Sequence, residues 1–159
     1  MIMEDSISIR GDLVISLEYL DGTREKFFEN KNLIANSAKQ ILINSIYLSS
    51  STDYISEIRV GTGPLTAPPF GNPIGEDGTL NNLVSPVPGV SAIVTATPDD
   101  PTISVNFTAT LSNVQANNNI LTEAGLFTTL GNLFSVKKHP AISKSSDFAI
   151  HYDWTIRIL

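Results

Sequence analysis

The sequence predicts a mainly β protein: an antiparallel β-sandwich or jelly-roll-like domain with one amphipathic α-helix at about residues 34–48. Three observations support this class. Apolar and polar residues alternate strictly in the C-terminal segment Phe148–Ile158, as in a strand with one buried face. Valine, isoleucine and threonine are abundant while charged residues make up only 16% of the chain, which favours strands over helices. Turn-forming sequences recur at roughly ten-residue intervals.

The N-terminal part is predicted to form strands joined by tight turns. Ile7–Arg10 is a short first strand, or a tail that becomes ordered only on assembly, and Gly11–Asp12 turns the chain into the strand Leu13–Leu20. Asp21–Gly22 predicts a type I′ hairpin turn, whose two central residues both need a positive φ angle. Thr23–Glu29 is the returning strand. We regard residues 1–30 as a candidate attachment element.

One helix is predicted between Asn32 and Leu48, because apolar residues recur there with the helical period. The stripe consists of Ile34, Ala38, Ile41, Leu42, Ser45 and Leu48. Ser37 and Gln40 have the spacing of a capping box, in which the serine side chain accepts a hydrogen bond from the amide three residues later. Two starts therefore stay open, residue 34 and Ser37.

A long loop is predicted in the middle of the chain. The strand Ile55–Gly61 leads into residues 62–82, which are rich in glycine and proline. Loops of this length are uncommon in compact domains unless they are functional. Six apolar residues of this loop form the predicted assembly interface: Leu65, Pro68, Pro69, Phe70, Ile74 and Leu80. They either fold back on the domain or dock on another chain. Docking is favoured, because exposed apolar patches mark interfaces and a proline-rich segment loses less entropy on binding.

Five further extended segments follow the loop. Leu83–Thr97 is a long extended run, and its part with Pro86 and Pro88 belongs at a sheet edge or in a bulge, because prolines cannot donate ladder hydrogen bonds. Residues 98–101 form a turn. Thr102–Ser112 alternates, with five residues facing inward: Ile103, Val105, Phe107, Ala109 and Leu111. The strands 120–128 and 132–137 come next, followed by a polar connection at residues 138–146. Phe148–Ile158, which holds the single tryptophan, closes the chain in the middle of a sheet.

The composition excludes several classes of site and partner. The chain lacks cysteine, so it has no disulfide or thiolate site, and its net charge of −6 comes with no basic patch for nucleic acid. No apolar run approaches the roughly 20 residues of a membrane span, and the N-terminus lacks the features of a secretory signal. At 159 residues, the chain is predicted to be a single domain, 1–159.

Glu123 is the most informative polar residue, because it lies inside an otherwise weakly polar predicted strand. A buried carboxylate needs hydrogen-bond donors, such as the backbone amides of a neighbouring loop or an arginine. Glu123 is therefore predicted to be a structural pin for the adjacent loop or for a subunit contact. No second group is identifiable that would make it an acid or base catalyst.

Other short motifs lack residues that the corresponding binding sites require. Gly61–Gly63 lacks the lysine of a Walker loop and the third glycine of a dinucleotide loop. His139 and His151 lack a third convergent metal ligand, although Asp153 lies two residues from His151. The acidic pairs of the long loop and of residues 99–100 do not follow the EF-hand pattern. No catalytic, cofactor-binding or metal-binding residue is predicted, and no enzymatic activity.

Four segments occur in a distinctive order: Asn32–Asn36 before the helix, Ile58–Gly63 before the long loop, Leu121–Phe127, and Trp154–Ile158. This order, over residues 33–159, resembles small β-rich structural domains of tailed-bacteriophage virion proteins, of the tail-fibre, baseplate or virion-surface type. The resemblance implies a non-enzymatic component of the virion, assembled in the bacterial host cytoplasm. Other virion proteins are the implied partners, together with further copies of this chain in a homo-oligomer.

Two alternatives to a tail, baseplate or fibre-associated protein stay open. One is a capsid-surface decoration or head-fibre protein. The other is a carbohydrate- or receptor-binding module that contacts a host-surface glycan through exposed aromatic residues, for which Tyr19, Tyr47, Tyr54 and Phe70 are the candidates. A glycan hydrolase would need two carboxylates roughly 5–10 Å apart across a cleft, and the sequence identifies no such pair.

Overall fold

The computed structural model describes residues 8–47, 53–64 and 82–159, and it is mainly β, as predicted. Within these ranges, nine strands, one α-helix and a short 3₁₀ turn follow one another. They are β1 (Ile9–Tyr19), β2 (Arg24–Ile34), α1 (Asn36–Tyr47), β3 (Ile55–Gly61), β4 (Pro86–Ile93), β5 (Thr95–Asp99), the 3₁₀ turn (Asp100–Thr102), β6 (Ser104–Leu111), β7 (Ile120–Thr128), β8 (Leu133–Ser143) and β9 (Phe148–Ile158).

The nine described strands form one antiparallel sheet in the order β4-β3-β7-β8-β2-β1-β9-β6-β5. The edge strands β4 and β5 are consecutive in sequence and are joined only by Val94, whose N–H donates to the carbonyl of Ser56 at 3.0 Å. The two edges therefore meet, and the sheet curls into a nearly closed barrel. β2 forms another corner, because residues 24–32 pair with β1 whereas Leu33–Ile34 pair with β8. The finer arrangement of a sandwich or jelly roll stays a prediction.

β9 occupies the predicted central position, between β1 and β6. Ile150, Tyr152 and Trp154 are fully buried, and Trp154 pairs with Leu13 on β1 and with Phe107 on β6. Buried and half-buried residues alternate from Ile150 to Ile156, which confirms the predicted alternation for this part of the strand. Burial of large aromatic side chains is the main favourable term in a core of this kind, so the interior of the barrel is built on β9.

The predicted turn at Gly11–Asp12 is wrong, because β1 runs through both residues. Gly11 pairs with Asn32, and a Cβ atom on Gly11 would lie only 2.1 Å from that side chain. The Asp12 carboxylate is 3.0 Å from the guanidinium groups of Arg10 and Arg157. The glycine thus permits a close approach of two strands, and the aspartate is satisfied by arginines on the outer face of the sheet.

Asp21–Gly22 does join β1 to β2, but the predicted type I′ turn is wrong. Gly22 has a φ angle of +84°, whereas Asp21 does not adopt a positive φ. The Gly22 N–H donates to the carbonyl of Tyr19 at 2.9 Å, and the Thr23 N–H donates to the Asp21 carboxylate at 2.9 Å. The connection is therefore a type I turn followed by a left-handed glycine. Residue 7, in the first predicted strand, lies outside the described residues.

α1 begins at Asn36, between the two predicted starts. The predicted capping box is wrong, because Ser37 Oγ donates to the carbonyl of Leu133 on β8. Ala38 is fully buried and Ile41 packs against the core, as the predicted stripe requires. The side chains of Ser45 and Leu48 lie outside the described residues. No helix in the described part of the chain has the length and apolar character that a bilayer span requires.

The bounds predicted for β3, β7 and β9 are confirmed, and so is the edge position of the proline-rich strand β4. The predicted polar connection at residues 138–146 is wrong, because β8 continues to Ser143 and buries Lys138 and His139. Ile103 was predicted to face inward, but it precedes β6 and is 65% exposed with a φ angle of +47°. The predicted run 83–97 is divided between β4 and β5.

Candidate functional site

Glu123 on β7 and Lys138 on β8 form a buried ion pair. The two residues are paired on neighbouring strands, and Lys138 Nζ lies 2.6 Å from Glu123 Oε2. The exposed fractions of the two side chains are 0% and 5%. Water therefore cannot solvate either charge, and each depends on the protein for its partners.

The remaining partners of Glu123 lie on the chain that follows the long loop. Its Oε1 accepts a hydrogen bond from the Ser85 N–H at 2.8 Å, and its Oε2 accepts one from the Val84 N–H at 3.2 Å. The chain that precedes the loop is also tied down, because Thr122 Oγ1 donates to the carbonyl of Gly63. The Thr62 N–H joins the two sides by donating to the Ser85 carbonyl at 2.8 Å. We call residues 62–63 and 84–85 the loop base.

These contacts are the ones that a structural pin requires, and the backbone amides named in the sequence-based prediction are among them. Lys138 was missed as a partner, because its predicted position was a polar connection. Two adjacent lysines, Lys137 and Lys138, occupy this part of β8, and local alternation could not tell which of them is buried. The role of Glu123 as a pin stays a prediction that stability measurements can test.

Gly61 and Gly63 provide the space that the ion pair occupies. A Cβ atom on Gly61 would lie 2.3 Å from Glu123 Oε1 and 2.6 Å from the Ser85 carbonyl. A Cβ atom on Gly63 would lie 2.7 Å from Lys138 Nζ. Distances below 3.0 Å are not found for real Cβ atoms. The Gly-Thr-Gly sequence is thus explained by close packing against a buried charge pair.

A second apolar cluster covers the outer face of the sheet next to the ion pair, and it consists of Ala35, Leu83, Phe127, Leu133 and Val136. The Arg59 guanidinium stacks 4.4 Å from the centroid of the Phe127 ring and pairs with the Glu57 carboxylate. The main core lies on the other face. β7 is therefore buried on both faces, which explains why nearly every residue of this strand is inaccessible.

An apolar cavity of about 570 Å³ opens beside α1, where the strands β5, β6 and β9 approach the start of β3. The described residues that line it are Ile9, Ile41, Leu42, Asp53, Tyr54, Ile55, Ala96, Pro98, Asp99, Ile103, Ser104, Val105, Phe107, Phe134, Ile156 and Ile158. Tyr54, Ile103 and Ile158 at its mouth remain 66%, 65% and 42% exposed. Cavities of this size and character are typical of ligand and peptide sites.

The corner between β5 and β6 shapes one side of the mouth. Thr102 Oγ1 donates to the Asp99 carboxylate at 2.6 Å and lies 2.6 Å from Ser104 Oγ. The Ile158 N–H donates to the Ile103 carbonyl at 3.2 Å. These bonds hold Ile103 at a φ angle of +47°, a region that a β-branched residue rarely adopts. The corner thus presents an isoleucine to solvent at a conformational cost.

Asp53 lies on the opposite side of the mouth and binds the turn between β7 and β8. Its carboxylate accepts hydrogen bonds from Leu130 N–H at 3.1 Å, Thr129 Oγ1 at 3.2 Å and Asn132 Nδ2 at 3.0 Å. Partial burial would raise the pKa of Asp53, but the hydrogen bonds that it accepts outweigh this effect and lower the pKa below its usual value. The group is therefore an anion at neutral pH.

The two histidines lie in different environments. His139 is buried, its Nδ1 donates to the Pro140 carbonyl at 2.8 Å, and burial lowers its pKa to about 4. His151 Nε2 lies 2.8 Å from a Glu18 carboxylate oxygen on the outer face. Asp153 instead lies 3.8 Å from Arg24. Among the described residues, no three histidine or carboxylate side chains converge on a common point that could hold a metal ion.

The six residues of the predicted assembly interface, Leu65, Pro68, Pro69, Phe70, Ile74 and Leu80, lie outside the described residues. Of the aromatic candidates for glycan contact, Tyr54 is exposed at the mouth of the cavity, and Tyr19 donates to Glu25 at 3.3 Å. The cavity itself was missed by sequence reasoning, because it forms only when distant strand ends come together.

In comparisons with known proteins, no family model, no curated protein and no solved structure matched this chain.

Proposed function

We propose that this chain is a non-enzymatic structural component of a tailed-phage virion, associated with the tail, baseplate or fibre, and that it acts through protein–protein contacts. The support from the sequence is the resemblance of four segments to structural domains of such particles. Two of those segments, Ile58–Gly63 and Leu121–Phe127, meet at the buried ion pair, since Gly61 and Gly63 pack against Glu123. The resemblance therefore involves residues that depend on one another in space.

The loop base is the single observation that carries the proposal. Burying an ion pair costs solvation free energy that an apolar pair would not cost, and we take its presence here as support for a role beyond stability. Here Glu123 holds residues 84–85 through their backbone amides, and its neighbour Thr122 holds Gly63, so the chain on both sides of residues 65–81 is attached to β7. A binding segment that is attached to rigid elements loses less entropy when it meets a partner. The apolar residues of that segment are accordingly the proposed assembly contact.

A carbohydrate- or receptor-binding module is the second candidate, and the exposure of Tyr54 favours it. An aromatic side chain that is 66% exposed beside a cavity offers a stacking surface. A capsid-surface decoration or head-fibre protein would use the same kind of protein contact as the first proposal. A glycan array probed with the wild-type chain and with Tyr54→Ser tests this candidate, because a glycan signal that disappears with the ring would favour a binding module over an assembly protein.

Association of the purified chain tests the assembly proposal. Sedimentation velocity over a wide concentration range should reveal a homo-oligomer, and Phe70→Asp should shift the population towards the monomer. Leu20→Asp is the matched control, since Leu20 is 71% exposed at the hairpin turn, away from the loop base. A chain that stays monomeric at all concentrations and binds no other virion protein would refute the proposal.

A further inference from the structure

We propose that the apolar cavity beside α1 is the docking site for a neighbouring protein, and that it receives an apolar segment flanked by lysine or arginine. The inference rests on the proposed assembly function and names the chemistry of one partner. It concerns a surface separate from the loop base, so the two contacts can be tested independently.

The first step is the apolar character of the cavity and its mouth. A volume of about 570 Å³ accommodates two or three apolar side chains. Tyr54, Ile103 and Ile158 continue the apolar surface outside the cavity, where they are 42–66% exposed. A partner that fills the cavity would cover this rim at the same time. An apolar patch continuous with a cavity indicates a protein interface more than a site for a free small molecule.

The second step is the charge at the mouth. Asp53 and Asp99 contribute carboxylates, and the described lining contains no lysine, arginine or histidine. Both carboxylates are held in place by hydrogen bonds, from the β7–β8 turn and from Thr102 respectively. Fixed charges of one sign around an apolar pocket select partners of the opposite charge and disfavour partners of the same charge. Basic residues beside the apolar anchor are therefore expected in the partner.

The third step is the conformation of Ile103. This residue adopts a left-handed backbone conformation that is unfavourable for a β-branched side chain, yet its side chain is 65% exposed. Neither the core nor the turn needs an isoleucine there, since asparagine or glycine would fit the backbone better. Contact with a partner would bury the isoleucine side chain, which would explain why an isoleucine occupies this position.

Two synthetic peptides provide the probe. Both contain the same central sequence of leucine, phenylalanine and leucine, with two lysines on each side in one peptide and two glutamates on each side in the other. Isoleucine methyl NMR signals of the full chain are followed during titration. The lysine peptide should shift the signals of cavity residues such as Ile55 and Ile156 and bind at least about tenfold more tightly than the glutamate peptide.

Single substitutions test whether the lysine peptide binds in the cavity. Ala96→Trp places a ring in the cavity and should weaken binding of the lysine peptide at least about tenfold, whereas Thr97→Trp, at the next residue of the same exposed strand, should not. Asp99→Asn should reduce the preference for lysine over glutamate by about threefold, whereas Asp147→Asn, which is not part of the lining, should leave it unchanged.

Ile103→Asn separates an effect on peptide binding from an effect on folding. Asparagine tolerates the left-handed conformation, so the melting temperature should stay the same or rise while peptide affinity falls at least about threefold. Several results would overturn the proposal: equal affinity for the two peptides, unchanged affinity of Ala96→Trp, or no methyl shift with either peptide because the chain fills its own cavity. Tight binding of neutral 4-phenylbutanol instead of the peptides would assign the cavity to a small molecule. Association that depends on Phe70 would be unaffected by any of these outcomes.

Discussion

Replacing Lys138 with methionine would show whether the buried ion pair holds the fold together. Methionine has a similar length and no charge, so the variant removes the partner of Glu123 while it retains most of the packing volume. The carboxylate would remain fully buried, and among the described residues only Val84 and Ser85 would still donate hydrogen bonds to it. Breaking a buried pair by removing one partner typically costs about 3–5 kcal/mol. We expect a loss near the lower figure, because two backbone donors remain.

A surface pair with the same N–O distance provides the control. Lys26 Nζ lies 2.6 Å from Glu29 Oε2, the same distance as in the buried pair, but these side chains are 61% and 58% exposed. Exposed pairs contribute about 0.2–1 kcal/mol. Lys26→Met should therefore change the free energy of unfolding by less than about 1 kcal/mol, and the difference between the two variants isolates the effect of burial.

Urea unfolding, followed by the fluorescence of Trp154, measures the free energy of unfolding of both variants. For a domain of this size, a loss of 3–5 kcal/mol lowers the melting temperature by about 6–20 °C. The double variant Glu123→Gln with Lys138→Met should be more stable than the sum of the single losses predicts, because the two residues interact. Equal stability of Lys138→Met and Lys26→Met would refute the reasoning, since burial would then have no energetic consequence.

Three further predictions concern other parts of the barrel. Gly61→Ala should lower the free energy of unfolding by about 1–3 kcal/mol in urea titrations, because the added Cβ would lie 2.6 Å from the Ser85 carbonyl; unchanged stability would contradict the packing described here. Below about pH 6.5 the unfolded chain protonates His139, whereas the buried side chain stays neutral until about pH 4. Stability should therefore fall by roughly 2–4 kcal/mol as the pH decreases through this range. His139→Gln should flatten the pH dependence of the urea midpoint, and a profile identical to that of the wild-type chain would refute the assignment. A chain that ends at Asp153 loses the fully buried Trp154 and the end of β9, and should show no dispersed NMR spectrum; a dispersed spectrum would contradict the central role of β9.

The strands that the sequence predicts correctly are those that local signals delimit. β9 has the predicted bounds because its apolar residues repeat every second position. β3 and β7 have the predicted bounds because loop-forming sequences flank them, although β7 is buried on both faces and does not alternate. The edge position of β4 follows from Pro86 and Pro88, which cannot donate to a neighbouring strand. In each case, the information that determines the element lies within the element or directly beside it.

The errors occur where a distant residue determines the local structure. Asp12 stays in a strand because Arg157, at the other end of the chain, pairs with its carboxylate. Ser37 does not cap the helix because Leu133 offers a carbonyl acceptor. Lys138 belongs to a buried strand because Glu123 lies opposite. Polar residues indicate loops only when no partner is near, and a single sequence does not reveal such partners.

Two positions depart from the locally most stable choice in ways that stability alone does not explain. At one, a charge pair is buried, although replacing a buried pair with apolar residues of similar volume is often neutral or stabilising in proteins. At the other, Ile103 adopts a conformation that asparagine would adopt at lower cost. Departures of this kind tend to occur at functional sites. Glu123, which pairs with Lys138, accepts hydrogen bonds from the base of the proposed assembly loop, and Ile103 lies at the mouth of the proposed docking cavity. If both departures serve contacts with partners, substitutions that remove them should preserve or increase stability while they weaken association. Substitutions at purely structural positions should instead lower stability and association together.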